Sequence, residues 1–178
     1  DERSYETCYD GHVYADFIAS GKRSRDLAVT LSRTLHDHSI SDALYRFLAD
    51  YDPYRIVGVM GGHAMKRSDA SFRKVALISK KLTEHGKLMV SGGGPGAMEA
   101  THFGAWMAGR TDAELDGALQ MLLAADTFRD AGWLSSAFRV MERFPQTQYH
   151  SLGIPTWLYG HEPSTPFATQ IAKYYDNS

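Results

Sequence analysis

The chain has 178 residues, 43% of them apolar, with 19 Lys and Arg against 21 Asp and Glu and a formal charge of −2. This size and composition suit one domain with a core of its own, and the near balance of charge offers no basic surface for nucleic acid or an anionic membrane. A lone cysteine, Cys8, excludes a disulfide framework or a cysteine-based metal centre; no run reaches the ~20 apolar residues of a membrane span, no signal peptide is visible, and a cytoplasmic setting is expected.

Residues 1–23 read as a polar, irregular arm docked through Tyr14, Phe17 and Ile18. Leu27, Leu31 and Leu35 then fall at helical spacing, and a second helix follows with Ile40, Ala43, Leu44, Phe47, Leu48 and Tyr51 as its apolar stripe, capped by Ser39 or Ser41 and ended near Pro53. Ile56–Met60 is apolar without alternation, as in a parallel strand covered on both faces. A helix is expected over 68–85, with Phe72, Val75, Ala76, Ile78 and Leu82 inward and Gly86 as its stop. A second strand, Leu88–Ser91, leads through glycines to a helix that Pro95 opens and that runs to Ala108. Two further helices are expected between Gly109 and His150. The first begins at a capping box, Thr111 with Glu114, and presents Leu115, Leu119, Leu122 and Leu123; the second presents Trp133, Leu134, Phe138, Val140 and Met141. A third strand, Ile154–Tyr159, and a last helix, Pro166–Tyr175, complete the chain.

This order predicts an α/β fold: a Rossmann-like parallel sheet with helices on both faces and an N-terminal helical extension. The extension spans 1–52 and the sheet domain 53–178, with a helical insertion at about 110–150. Three strands are few for a doubly wound sheet, so a larger parent domain or a partner chain over the sheet edge is expected.

Two glycine turns, each at the end of a strand, carry the functional signal. Gly61-Gly62-His63 follows the first strand and Gly92-Gly93-Gly94-Pro95-Gly96-Ala97 the second. Right-handed crossovers would bring both to the carboxyl ends of neighbouring strands. A glycine turn that opens a helix exposes backbone N–H groups at the positive end of the helix dipole, which favours a phosphate. Gly92, Gly94 and Ala97 satisfy the G-x-G-x-x-G/A pattern of dinucleotide sites, but no acidic residue ends the next strand, and no Gly-Lys-Ser/Thr follows to make a Walker A loop.

Around these turns each residue has two readings. His63 is a donor to phosphate or ribose, or a solvated loop histidine. Glu99 contacts a ribose hydroxyl, or solvent beside a Lys or Arg. Lys66 and Arg67 could neutralise phosphate, although a solvated charge pair at a helix start is the commoner outcome. Met60 and Met98 read as core, and Trp106, Trp133 and Trp157 as core or interface aromatics. The remaining histidines show no metal-ligand spacing, so neither a metal nor another cofactor is expected.

The segment Val90-Ser-Gly-Gly-Gly-Pro-Gly-Ala-Met-Glu-Ala100 resembles the first signature of the LOG ("lonely guy") family of lysine-decarboxylase-like proteins, G-G-G-x-x-G-x-M between a strand and a helix. Gly58-Val-Met-Gly-Gly62 resembles the family's opening strand and loop, and Ser151–Tyr159 falls where its third strand lies. The resemblance covers about residues 53–178. It implies a homodimer that binds a nucleoside 5′-monophosphate such as AMP, and a phosphoribohydrolase that cuts the N-glycosidic bond to give a base and ribose 5-phosphate. The family's second signature, P-G-G-x-G-T-x-x-E, with the catalytic glutamate, would follow the last helix, beyond Ser178, and its catalytic arginine has no clear match here. This chain is therefore expected to carry the binding half of the site. The candidate nucleotide-binding set is Gly61, Gly62, His63, Gly92, Gly93, Gly94, Gly96, Ala97, Met98 and Glu99, with no catalytic residue assigned. A non-catalytic nucleotide-binding or sensing module is the alternative, and an NAD-type oxidoreductase the third reading.

Overall fold

A computed structural model describes residues 9–155 and 163–172 of the chain. Its elements are α1 (Tyr9–Ala19), α2 (Leu27–Leu48), β1 (Ile56–Val59), α3 (Ala70–Glu84), β2 (Leu88–Ser91), α4 (Ala97–Trp106), α5 (Asp112–Leu122), α6 (Trp133–Arg143), β3 (Ser151–Gly153) and β4 (Gln170–Ile171). The sheet order is β1-β2-β3-β4 and every pairing is parallel. The expected α/β architecture, a Rossmann-like parallel sheet with helices on both faces and helices preceding it, is the one the chain adopts. Successive strand residues point to opposite faces, and β3 shows both. The Ser151 hydroxyl bonds His102 on α4, while Leu152 shares a cleft with Ile40, Leu44 and Phe47 of α2.

Helices α3 to α6 build the main core on one side of the sheet. Phe72 and Ala76 of α3 meet Ala100 and Phe103 of α4, and Leu115, Leu122 and Val140 close the cluster from α5 and α6. Gly104 lets α3 and α4 approach closely, because a Cβ there would run into the backbone of Ala76. Arg73 grips Asp116 through two bonds of 2.6 and 2.9 Å and ties α3 to α5. The capping box at α5 forms as expected, Thr111 Oγ1 accepting the Glu114 N–H and Glu114 Oε2 accepting the Thr111 N–H.

Several expectations are corrected. The segment from Tyr9 is helical rather than irregular. The two helices expected between 26 and 51 are one, because nothing between His36 and Ser41 stops a helix. The Ser39 hydroxyl donates back to the His36 carbonyl at 2.7 Å, and Thr34 does the same to Thr30 at 3.0 Å. Asp26 caps the helix by accepting the N–H of Ala28. The helix expected from Pro166 is instead a turn followed by β4, over its described part. Thr169 Oγ1 accepts the Ser151 N–H and donates to the Ser151 carbonyl, and Ala172 N–H donates to the Gly153 carbonyl. These bonds fasten the segment to β3 and override its helical periodicity. The third strand lies at Ser151–Gly153, not Ile154–Tyr159; residues 156–159, with Trp157, fall outside the described residues, as do Cys8 and residues 173–178. Met60 is 91% exposed rather than core, and Ile78, Leu123 and Phe138 also face outward.

Candidate functional site

The register of β1 and β2 sets Val59 beside Ser91, so the turns after both strands leave the sheet together. Gly61 and Gly62 have φ of 82° and 74°, and Gly93 and Gly96 both have 71°, a region that only glycine enters freely. The turns interlock. The Gly62 carbonyl accepts the Ala97 N–H at 3.0 Å and the Met65 N–H at 3.1 Å. A Cβ on Gly96 would overlap the Gly62 carbonyl oxygen and come within 2.7 Å of that of His63. Gly96 also caps α4 and has no side chain to accept the next N–H groups, so those of Met98 and Glu99 lack a side-chain cap.

Beside this junction lies a cleft of about 260 Å³, between the glycine turns and the segment joining α5 to α6. His63, Gly96 and Glu99 line one side, and Phe128, Arg129 and Trp133 the other. Asp126 anchors that second wall, its carboxylate accepting the Ser68 N–H at 2.8 Å and the Ser68 hydroxyl at 3.0 Å.

Glu99 is held by Arg67, and both are 1% exposed. Arg67 Nη2 donates to Glu99 Oε1 at 2.5 Å, and Nε to Oε1 and Oε2 at 3.1 and 3.2 Å. The remaining guanidinium donors go to the carbonyls of Leu122, Ala125 and Trp133 and to Ser136 Oγ. The Trp133 ring lies 5.0 Å from the guanidinium. One cation therefore joins the first turn of α4, the end of α5 and the start of α6. Arg67 is thus no part of a solvated charge pair; only Lys66 is exposed. Glu99 Oε2 carries one long bond, and a carboxylate accepts about four, so its acceptor capacity is not exhausted.

A second buried network supports the glycine turn. His102 Nε2 and Ser91 Oγ lie 2.8 Å apart, as do His102 Nδ1 and Ser151 Oγ, and Ser91 Oγ accepts the Gly93 N–H at 3.0 Å. Burial holds the imidazole pKa down at about 3, so the ring is neutral. It bridges β2 and β3 beneath the turn.

The candidate residues therefore divide. His63, Gly96 and Glu99 face the cleft. Gly61 and Gly62 sit exposed beside it. Gly93, Gly94 and Ala97 are buried, Gly93 packing against Gly153 with its carbonyl accepting the Thr165 N–H at 2.7 Å. Gly92 and Met98 are half-buried against each other, a Cβ on Gly92 falling 2.7 Å from the methionine sulfur. Sequence reasoning missed the wall from Asp126 to Trp133 and the burial of Arg67. One signal was available: Glu99 is the only acidic residue in α4, a largely apolar helix that holds no Lys or Arg, so its carboxylate needed a cation from elsewhere in the chain. Among the described residues no group of three or more His, Cys, Asp or Glu is placed to hold a metal ion. No helix there is long and apolar enough to cross a membrane. In comparisons with known proteins, no family model matches the chain and neither does any curated protein.

Proposed function

We propose that this cleft binds a nucleoside 5′-monophosphate such as AMP, and that the chain is a nucleotide-binding protein of the LOG phosphoribohydrolase kind. The observation that carries the reading is the cleft on which a glycine-capped helix start and a buried carboxylate face two aromatic side chains. The phosphate belongs at the Gly96 end, where the α4 dipole and the N–H groups of Met98 and Glu99 favour an anion, with His63 and Arg129 at the mouth as donors. Glu99 would repel phosphate, so its free acceptor capacity suits a ribose hydroxyl. Phe128 and Trp133 offer the base an apolar, aromatic wall. In a hydrolytic step the same carboxylate would stabilise positive charge developing on the ribose as the base departs.

One observation favours a second reading, binding without turnover. Both carboxylates of the cleft wall are engaged, Glu99 by Arg67 and Asp126 by Ser68, so neither stands ready as a proton carrier. Calorimetric titration with AMP, adenosine and ribose 5-phosphate, followed by chromatography of the mixture, separates the readings. AMP binding with release of adenine supports the hydrolase, and AMP binding without release supports the binding module. Failure of AMP to bind more tightly than adenosine would sink the phosphate assignment.

A further inference from the structure

His102 lies in the second turn of α4, is 0% exposed, and reaches back to Ser91 at the end of β2, eleven residues earlier. The ring thus closes a brace around the whole glycine turn, from strand end through turn and helix start to imidazole. Its other nitrogen lies on Ser151, which fixes the brace to β3. The proton order follows from Ser91. Its hydroxyl oxygen already accepts the Gly93 N–H at 3.0 Å. A hydroxyl has one proton of its own, and Nε2 at 2.8 Å is placed to accept it. The reverse tautomer would aim two donors, the Gly93 N–H and Nε2–H, at one serine oxygen. A neutral ring then carries its proton on Nδ1 and donates it to Ser151 Oγ. The bonds all run one way, from Gly93 through Ser91 and His102 to Ser151, an order in which each strengthens the next.

The turn needs such a brace. Glycine enters many backbone conformations without steric cost, so the segment Gly92-Gly93-Gly94-Pro95-Gly96 does not hold its own shape. Gly93, at φ 71°, is fastened by both backbone groups, its N–H on Ser91 and its carbonyl on the Thr165 N–H. Gly96 and the start of α4 follow three residues on. We infer that His102 is a positioning residue for an anion at the start of α4: acting through Ser91 and Gly93, it holds the turn in the shape that leaves the first N–H groups of the helix to a phosphate. This inference rests on the nucleotide reading and adds the residue that sets its phosphate end. The rest of the cleft has a separate anchor. Arg67 holds Glu99 and the start of α6, and Asp126 is tied to Ser68 beside Phe128. Loosening the turn therefore weakens the phosphate end and spares the ribose and base.

Calorimetric titration of the whole chain with AMP and with adenosine tests it, read as the ratio of the two affinities. Ser91→Ala takes the acceptor from a buried N–H and should weaken AMP about tenfold, leaving adenosine unchanged. His102→Leu fills the site but offers Ser91 no acceptor, and should do the same; Ser91→Ala decides if His102→Leu does not fold. His102→Gln, whose amide carries both an acceptor and a donor, should keep the wild-type ratio. A role in stability alone would lower the melting temperature of these variants without moving the ratio. Nitrogen-15 NMR of the free chain should find the ring proton on Nδ1. With AMP bound by the wild-type chain, an unmoved ratio in Ser91→Ala, equal weakening of both ligands, or a ring proton on Nε2 would overturn this inference alone. A wild-type chain that binds AMP no more tightly than adenosine would overturn the nucleotide reading, and this inference with it.

Discussion

Replacing Glu99 by Gln tests whether the Arg67–Glu99 pair holds the cleft together. Glutamine keeps the shape and one carbonyl oxygen but removes the charge that faces the guanidinium. Arg67 is 1% exposed and its donors are committed to α4, α5 and α6, so it cannot turn to water. Removing one partner of such a buried pair costs about 3–5 kcal/mol. For a chain of this size that lowers the melting temperature by roughly 6–20 °C, at about 2–4 °C per kcal/mol. Arg67→Met should be gentler on α5, because the Leu122 carbonyl keeps the Ala125 N–H as a partner. The double variant Arg67→Met with Glu99→Gln should therefore lose less than the sum of the two single losses, with a coupling of about 2 kcal/mol or more. Urea unfolding of the four proteins, followed by fluorescence, completes the cycle. A loss below about 1 kcal/mol for Glu99→Gln, the value of a solvated surface pair, would refute the buried clamp.

Three further outcomes are expected. His102 has a folded pKa of about 3, below its unfolded value, so the unfolded chain binds an extra proton between about pH 6.5 and pH 3 and stability falls as pH drops through that window. Between pH 6.5 and 4.5 the histidine accounts for about 2 kcal/mol of loss, and His102→Gln should show a shallower slope of unfolding free energy against pH; identical slopes would contradict the buried neutral ring. Gly104→Ala should destabilise by about 1–3 kcal/mol despite the better helix propensity of alanine, since a built Cβ lies 2.8 and 2.9 Å from the Ala76 carbonyl carbon and Cα; unfolding at unchanged denaturant would mean that α3 and α4 do not meet there. Phe128→Ala should weaken AMP about tenfold and leave ribose 5-phosphate unaffected, as loss of a base contact worth about 1–3 kcal/mol requires; equal weakening of both ligands would remove Phe128 from the base wall.

Much of the fold was legible because it rests on local signals. β2 lies where the apolar run Leu88–Ser91 places it, and Thr111 with Glu114 starts α5 as the capping box announces. The contact between the two glycine turns followed from parallel crossovers. What remained hidden depends on partners distant in sequence. Arg67 lies beside Lys66 and Ser68 and reads as solvated; only the fold brings it to Glu99, thirty-two residues on, and to Ser136, sixty-nine residues on. The cleft wall at Phe128 and Arg129 sits in an irregular segment with no periodicity to read. β4 escaped notice because two residues carry no pattern, and bonds from Thr169 to Ser151 place them. In α2 the leucines have helical spacing, which predicts a helix but not which side of it the chain will cover.

The most direct test of the nucleotide reading is a crystal structure of the chain grown with AMP. The account predicts the nucleotide in the cleft beside Gly96, with phosphate at the start of α4, a ribose hydroxyl on Glu99 and the base against Phe128. AMP bound away from Gly96 and Glu99, or an empty cleft at saturating AMP, would contradict it.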